Sequence, residues 1–328
     1  MKAILCKSFG SPENLKLEEV KDLVPKKGEV LVEVYSVGLN YPDILQISGK
    51  YQFQPPFPFI PGSEAGGKII ELGPNVKDFA IGDRVMAIPG IGSMAEKICI
   101  KTHKLKKIPE SMTLLTASGF PMVYSTSYYA LKQRANLKSG EKLLVLGSGG
   151  GVGLTAVEIG KLMGATVIAG ASSQEKLKFA KKAGADFLVN YSDGDLKTKI
   201  KELTNGKGAD VIYDPVGGDL FYQSTRCINW NGRILVVGFA SGEIPAYKAN
   251  LALLKGVSMV GVFLSRWMNE EPDEYDKNFL QLLEYFEKGM VKPTRTEIFS
   301  IKDFVKAFNT LIERKAIGKV SIEFKRED

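Results

Sequence analysis

Five of the seven residues from Gly147 to Gly153 are glycines, and a backbone this free of Cβ atoms can approach a phosphate closely. The apolar run 143–146 before them predicts a buried parallel strand, and the apolar pattern 154–163 after them predicts a helix. The N-terminus of that helix would face the same anion. A second apolar run at 166–169 completes a strand–turn–helix–strand unit, which is typical of dinucleotide binding.

The spacing of these glycines fits one dinucleotide pattern and not another. A G-x-G-x-x-G pattern that starts at Gly147 fails because its last position is Val152, whereas G-x-x-G-x-x-G fits at Gly147, Gly150 and Gly153. Taken alone, so many glycines would also suit a flexible loop. The flanking strand and helix favour the phosphate-binding interpretation.

The end of the second strand indicates which dinucleotide is used. Proteins that bind NAD usually carry an acidic residue there for the ribose 2′-hydroxyl. This sequence has small and hydroxyl residues through Ser172 and Ser173, followed by Lys176, which suits a 2′-phosphate and predicts NADPH. An alternative that is compatible with this role is that Ser173 caps the next helix while Lys176 is solvated.

Composition limits the classes of protein that remain. The chain has 328 residues, a length that predicts about two domains, and its 44 basic and 37 acidic residues are interspersed and give a net charge of +7. That mixture argues against nucleic-acid binding as the principal role. No apolar run is long enough to span a membrane, and three scattered cysteines predict no disulfide framework, so we expect a cytoplasmic protein.

The order of the predicted elements gives an α/β fold with two parts. The first ~120 residues are rich in short strands, such as the alternating segment 29–37, and predict a barrel or sandwich. Helical patterns begin near Thr113. Six short apolar strands with helical crossovers follow, and they predict a doubly wound parallel sheet. The predicted strands of that sheet are 143–146, 166–169, 187–189, 211–213, 234–237 and 258–262.

Over its full length the chain resembles the medium-chain dehydrogenase/reductase superfamily, most closely its zinc-independent quinone oxidoreductases, the ζ-crystallin-like branch. The resemblance rests on ordered motifs, which are Gly38-Leu39-Asn40-Tyr41-Pro42-Asp43, Gly49-Lys50-Tyr51, Pro61-Gly62-Ser63-Glu64-Ala65-Gly66-Gly67, Gly82-Asp83-Arg84-Val85, the glycine turn, Ala183-Gly184-Ala185-Asp186, Tyr213-Asp214-Pro215-Val216-Gly217-Gly218 and 238–245. It implies a Rossmann domain with a doubly wound parallel sheet at 122–262. It also implies a GroES-like β-barrel domain formed by 1–121 and 263–328.

The positions that hold zinc in related alcohol dehydrogenases carry other residue types here. The resemblance aligns a zinc-binding cysteine of those relatives with Asn40 and a histidine with Ser63. The four-cysteine lobe that would follow Asp83 is missing, and the single histidine, His103, lies among lysines. The sequence therefore predicts no metal site, and with it no zinc-assisted alcohol oxidation.

The resemblance implies a reductase that delivers hydride from NADPH to quinones or α,β-unsaturated carbonyls. It implies catalytic roles for Asn40, Tyr51 and Thr126, with Asp43 orienting its neighbours. The cofactor-binding residues that it implies are Gly150, Gly151, Val152, Gly153, Ser172, Lys176, Tyr191, Phe239, Gly242, Phe263 and Lys319.

Two other functions remain open at this stage. The chain could be a 2-enoyl-thioester reductase, since such relatives share the Asn-x-x-Asp of Asn40 and Asp43. It could also be a non-catalytic protein that binds NADPH or RNA. In each case we expect a homodimer paired through the edge strand 258–264, because an unpaired apolar edge favours association.

Overall fold

The computed structural model describes residues 1–293 and 296–327, and its chain divides into two compact units. The first unit is Met1–Met122 with Arg295–Asp328, and the second is Val123–Thr294. The segment 263–294 thus belongs to the second unit, which differs from the predicted domain boundary after residue 262. The Trp267 ring stacks on Tyr129 with centroids 4.3 Å apart, and Lys132 Nζ donates to Asn278 Oδ1 at 2.7 Å, so this segment is held to the second unit.

Fifteen strands are formed by the described residues. In chain order they are β1 (Lys2–Leu5), β2 (Lys16–Glu19), β3 (Glu29–Leu39), β4 (Glu64–Leu72), β5 (Arg84–Ala87), β6 (Lys97–Lys101), β7 (Leu105–Lys107), β8 (Lys142–Val145), β9 (Thr166–Ala171), β10 (Phe187–Asn190), β11 (Ala209–Asp214), β12 (Ile228–Val236), β13 (Ser258–Gly261), β14 (Thr296–Ser300) and β15 (Lys319–Glu323).

Eleven α-helices are formed by the same residues. They are α1 (Tyr41–Ile47), α2 (Leu114–Gly119), α3 (Pro121–Tyr129), α4 (Gly151–Leu162), α5 (Gln174–Lys182), α6 (Leu196–Leu203), α7 (Gly218–Cys227), α8 (Ala249–Lys255), α9 (Leu264–Glu270), α10 (Pro272–Glu287) and α11 (Phe304–Ile312). One turn of π-helix at Ala130–Arg134 extends α3, and short 3-10 turns lie at Pro12–Asn14, Thr102–Lys104, Tyr191–Asp193 and Ile301–Asp303. No helix within the described ranges is long and apolar enough to cross a membrane.

The first unit is built on a mainly antiparallel sheet. Seven strands form it, in the order β14-β15-β3-β4-β5-β7 with β6 paired to β3, while β1 and β2 form a separate antiparallel pair. Strand β3 is the central strand and pairs with β4, β6 and β15, and most residues on both of its faces are buried. Strand β15, from the C-terminal part of the chain, therefore lies directly beside β3 from the N-terminal part.

The second unit is a parallel six-stranded sheet in the order β10-β9-β8-β11-β12-β13. The chain runs outward from β8 through β9 to β10 and then returns to the other side of β8 at β11. This reversal makes the β8–β11 junction the topological switch point, where doubly wound sheets bind ligands beyond the carboxyl ends of their strands. The predicted α/β class and the six parallel strands are confirmed.

Several short elements were not predicted, and one predicted strand is shorter than expected. The unpredicted elements are α1, α8, α9, β7 and β14. The edge strand β13 ends at Gly261 rather than Leu264, because Phe263 begins the turn into α9. Elements of three to seven residues carry too little periodicity to be recognised from sequence alone.

Candidate functional site

The glycine turn follows β8 at the switch point of the parallel sheet. Gly147 adopts a φ of +60°, and the Gly150 N–H donates to the Gly147 carbonyl at 3.0 Å. A Cβ added at Gly153 would lie 2.2 Å from that same carbonyl oxygen, so the turn requires glycine there. Helix α4 starts at Gly151, and the N–H groups of its first turn have no acceptor within the helix. They form an anion-binding N-terminus.

Buried hydroxyl groups hold the first turn of α4 in place. Ser127 Oγ on α3 donates to the Val152 carbonyl at 3.0 Å, and it lies 2.8 Å from Thr155 Oγ1 and 3.0 Å from Tyr213 Oη. This places α3, with the predicted catalytic residue Thr126, against the glycine turn. Sequence reasoning missed these hydroxyls. Polar residues at positions where the helix and strand patterns require burial were the signal that could have identified them.

The residues that are predicted to bind the 2′-phosphate lie near the carboxyl end of β9. The Ser172 carbonyl accepts from the Ser192 hydroxyl at 3.1 Å, and a Cβ at Gly170 would lie 3.4 Å from Tyr191 Cδ1. Lys176 lies in the first turn of α5, where its N–H donates to Ser173 Oγ at 3.3 Å. The capping role of Ser173 is therefore confirmed, and Ser192 is an addition that the sequence did not single out.

The remaining predicted cofactor residues of this unit follow β12 and β13. Phe239 and Gly242 lie in the loop after β12, and the Gly242 N–H donates to the Phe239 carbonyl at 2.8 Å. That loop is bonded to the loop after β11, since the Ala240 N–H donates to the Pro215 carbonyl at 3.0 Å. Phe263 follows β13 and is about half exposed. Parallel strands end at a common edge, so all these loops lie along the same edge as the glycine turn.

The donor set along this edge fits a phosphorylated dinucleotide. The turn permits close backbone approach, the α4 N-terminus supplies N–H donors, and β9 ends in Ala171 followed by hydroxyl residues and Lys176. A carboxylate at the end of β9 would repel a 2′-phosphate, and the first acid after that strand is Glu175, in the first turn of α5. The edge can therefore hold both a diphosphate and a 2′-phosphate.

A buried charged cluster lies in the first unit and joins two residues that were predicted to play different roles. Lys319 Nζ donates to Asn40 Oδ1 and to Glu64 Oε1, each at 2.6 Å, and Asn40 Nδ2 donates to Glu64 Oε1 at 2.8 Å. Asn40 Nδ2 also lies 3.2 Å from Ser63 Oγ. Glu64 is fully buried, and Lys319 is only 7 % exposed. We call these four residues together with Asp43 the Lys319 cluster.

The Lys319 cluster constrains what its members can offer to a ligand. Both ends of the Asn40 amide are already hydrogen-bonded within the unit, and the Lys319 ammonium is committed to Asn40 and Glu64. The expected roles of Asn40 in catalysis and of Lys319 in cofactor binding stay predictions. What the geometry adds is that Lys319 neutralises Glu64 and fixes the side chain of Asn40.

Asp43 is the second carboxyl group of the cluster. Its Oδ2 accepts from the Asn40 backbone N–H at 2.7 Å, at the N-terminus of α1. Burial raises the pKa of Asp43 to about 7, and the neighbouring Glu64 carboxylate also raises it, while the Asn40 N–H, the Lys319 ammonium and the Ser63 hydroxyl oppose the shift. The carboxyl group therefore titrates near neutral pH rather than in the usual acidic range of an aspartate.

Tyr51 lies in the segment after α1, on the same unit as the Lys319 cluster. It is partly buried, and its backbone N–H donates to the Leu45 carbonyl at 3.1 Å. Helix α1 thus separates Asn40 at its N-terminus from Tyr51 beyond its C-terminus.

The described residues contain no group of three or more His, Cys, Asp or Glu side chains that could hold a metal ion.

The ion pair of the Lys319 cluster gives a stability prediction. Replacing Lys319 by methionine leaves Glu64 as a buried uncompensated charge, and we expect the free energy of unfolding to fall by about 3–5 kcal/mol in urea titrations followed by circular dichroism. Lys319→Met combined with Glu64→Gln should recover part of that loss. The matched control is Lys325→Met, whose ion pair with Glu33 at 2.9 Å is exposed and should change the free energy of unfolding far less. Equal effects of Lys319→Met and Lys325→Met would contradict this account of the cluster.

The two units match two family models. Residues 26–110 match the alcohol dehydrogenase GroES-like domain, and residues 151–284 match the domain described as zinc-binding dehydrogenase. The first unit thus contains the predicted GroES-like domain, and the second contains the predicted Rossmann domain with its parallel sheet.

Relatives match nearly the whole chain. A quinone oxidoreductase-like protein 2 homolog of Nematostella vectensis is 39 % identical over 99 % of this chain and 89 % of its own length. A quinone oxidoreductase of Homo sapiens is 31 % identical over 98 % of this chain and 97 % of its own length. The crystal structure of Escherichia coli quinone oxidoreductase complexed with NADPH has a TM-score of 0.93 and 27 % identity over 99 % of this chain and all of its own. The chain belongs to the quinone oxidoreductase branch of the medium-chain dehydrogenase/reductase superfamily.

Proposed function

We propose that this protein is an NADPH-dependent reductase of quinones and α,β-unsaturated carbonyls that works without zinc. The observation that carries the proposal is the edge of the parallel sheet, where the glycine turn and the α4 N-terminus lie beside a strand end with hydroxyl groups and Lys176. A related quinone oxidoreductase has been crystallised with NADPH, which supports the same cofactor here.

Different groups of residues would bind different parts of NADPH. The N–H groups of Gly151, Val152 and Gly153 would hold the diphosphate, while Ser172, Lys176 and Tyr191 would hold the 2′-phosphate and adenosine. Phe239, Gly242 and Phe263 would line the nicotinamide side. When bound, NADPH supplies a hydride, which together with one proton from solvent or a side chain reduces an electron-poor double bond.

The Lys319 cluster supports chemistry without zinc. A divalent cation placed beside Asn40 and Ser63 would meet the Lys319 ammonium, which is already bonded to Asn40 and Glu64 at 2.6 Å. A divalent cation and an ammonium that share the same neighbouring side chains would repel each other strongly in a buried site. Quinones and enones need only orientation and a hydrogen-bond donor for the oxygen that gains negative charge. We propose Tyr51 as that donor, with Asn40 and Thr126 positioning substrate and nicotinamide.

We propose further that two copies pair through the edge strand β13. It is the last strand of the parallel sheet, and its outer side pairs with no further strand of the described residues, although the Gly261 carbonyl already accepts from Arg134 Nε at 2.9 Å. Light scattering at micromolar concentration should then give the mass of two chains, and Val260→Lys should shift the protein towards one. A wild-type protein that has the mass of a single chain would rule out this pairing.

The proposed activity is tested by following the loss of NADPH absorbance with 1,4-benzoquinone, 9,10-phenanthrenequinone and a simple enone. We expect turnover that prefers NADPH to NADH and is unchanged by a chelator. Lys176→Ala should raise KM for NADPH without changing KM for the quinone, since its charge serves the 2′-phosphate. Tyr51→Phe should lower kcat by about tenfold or more through the lost hydrogen-bond donor.

Crotonyl-coenzyme A is the comparison substrate for this assay. Faster turnover of this thioester than of every quinone would replace the proposal with the enoyl-thioester reductase function. Tight NADPH binding without turnover of any acceptor would favour a binding protein instead, and RNA affinity that survives saturating NADPH would identify its ligand class.

A further inference from the structure

The glycine turn and the first turn of α5 approach each other most closely at Gly149. A Cβ added there would lie 2.6 Å from Lys176 Cβ, 2.7 Å from Cγ and 3.1 Å from Cδ. The nearest of these atoms is attached directly to the backbone of α5. A methyl group at residue 149 therefore cannot be accommodated by swinging the end of the lysine side chain, and either the turn or the helix must move.

The backbone of Lys176 is held independently of this contact. Ser173 caps α5 and its Oγ accepts from the Lys176 N–H at 3.3 Å, which fixes the helix start at the end of β9. Only the missing side chain at Gly149 allows the aliphatic part of Lys176 to lie on the glycine turn. The aliphatic stem of Lys176 is thus held against the glycine turn.

Neighbouring Gly150 has no such steric requirement. A Cβ there would meet nothing nearer than the Gly147 carbonyl oxygen at 3.6 Å, and its φ of −86° suits any residue. These two adjacent glycines therefore differ in whether an added Cβ would clash with α5. Gly149 is constrained by Lys176, while Gly150 is free of that contact.

We infer that Gly149 is a positioning residue that sets the preference for a 2′-phosphate by letting Lys176 pack against the glycine turn. The inference rests on the proposed use of NADPH. A lysine acts on phosphate as a point charge, so its contribution falls as it is displaced. The diphosphate is bound by the backbone at the α4 N-terminus, which a shift of Lys176 leaves in place.

The test uses ligands that differ only in the 2′-phosphate, which are adenosine 2′,5′-bisphosphate and 5′-AMP, with dissociation constants measured by calorimetry. We expect the wild-type protein to prefer the bisphosphate and Lys176→Ala to reduce that preference by about tenfold or more. Gly149→Ala should reduce it by about three- to tenfold with little change for 5′-AMP. Lys176→Ala combined with Gly149→Ala should match Lys176→Ala alone, since the glycine acts through the lysine.

Two controls separate this role from a structural one. Gly150→Ala, which changes the turn that is predicted to bind the diphosphate, should affect both ligands equally and so keep the wild-type preference for the 2′-phosphate. Lys178→Ala, which removes an exposed charge of the same helix, should also keep it. Circular dichroism checks that each variant is folded. Calorimetry with NADPH and NADH repeats the comparison on the whole cofactors.

Each other outcome counts against the inference. Equal weakening of both ligands by Gly149→Ala would mean that Gly149 serves only the turn, and additive effects in the double variant would mean that Gly149 does not act through Lys176. A wild-type protein that binds both ligands equally would refute the NADPH assignment itself, before any variant is compared.

Discussion

The steric closure of the glycine turn is the constraint on which the second unit depends. Gly153 must lack a Cβ because the Gly147 carbonyl oxygen would lie 2.2 Å from it. That closeness joins the end of β8 to the start of α4 within a few residues and aims the helix N-terminus along the edge of the sheet. Since α3 is bonded to α4 through the Ser127 hydroxyl, the position of Thr126 depends on the same turn.

A different interaction organises the first unit. Lys319 lies on β15, and its partner Glu64 begins β4, so one ion pair joins strands on both sides of β3. A buried ion pair seldom adds much stability over an apolar pair, but it is costly to break. Its clearest consequence is orientation, because the ammonium and carboxylate together fix the Asn40 amide. The cluster supplies a positive charge from the chain itself beside Asn40 and Ser63.

Structure formed by residues that are close in the sequence could be predicted, whereas contacts between residues far apart in the sequence could not. The glycine turn, its strand and its helix are contiguous, so spacing alone identified them, and the doubly wound sheet followed from repeated short apolar runs. The bond between Asn40 and Lys319 joins residues 279 positions apart, so no spacing could indicate it. The contact of Gly149 with Lys176 depends on the packing of α5 against the turn, which periodicity cannot specify. The packing of the segment 263–293 on Tyr129 and Lys132 likewise has no sequence signature.

Hydrogen–deuterium exchange with and without saturating NADPH tests most directly whether the edge of the parallel sheet binds the cofactor. The N–H groups of Gly151, Val152 and Gly153 have no acceptor within α4, so an anion bound there would slow their exchange. We predict slower exchange in peptides covering 147–153 and 172–176 when NADPH is bound. NADPH binding that leaves both segments unprotected would contradict the central claim.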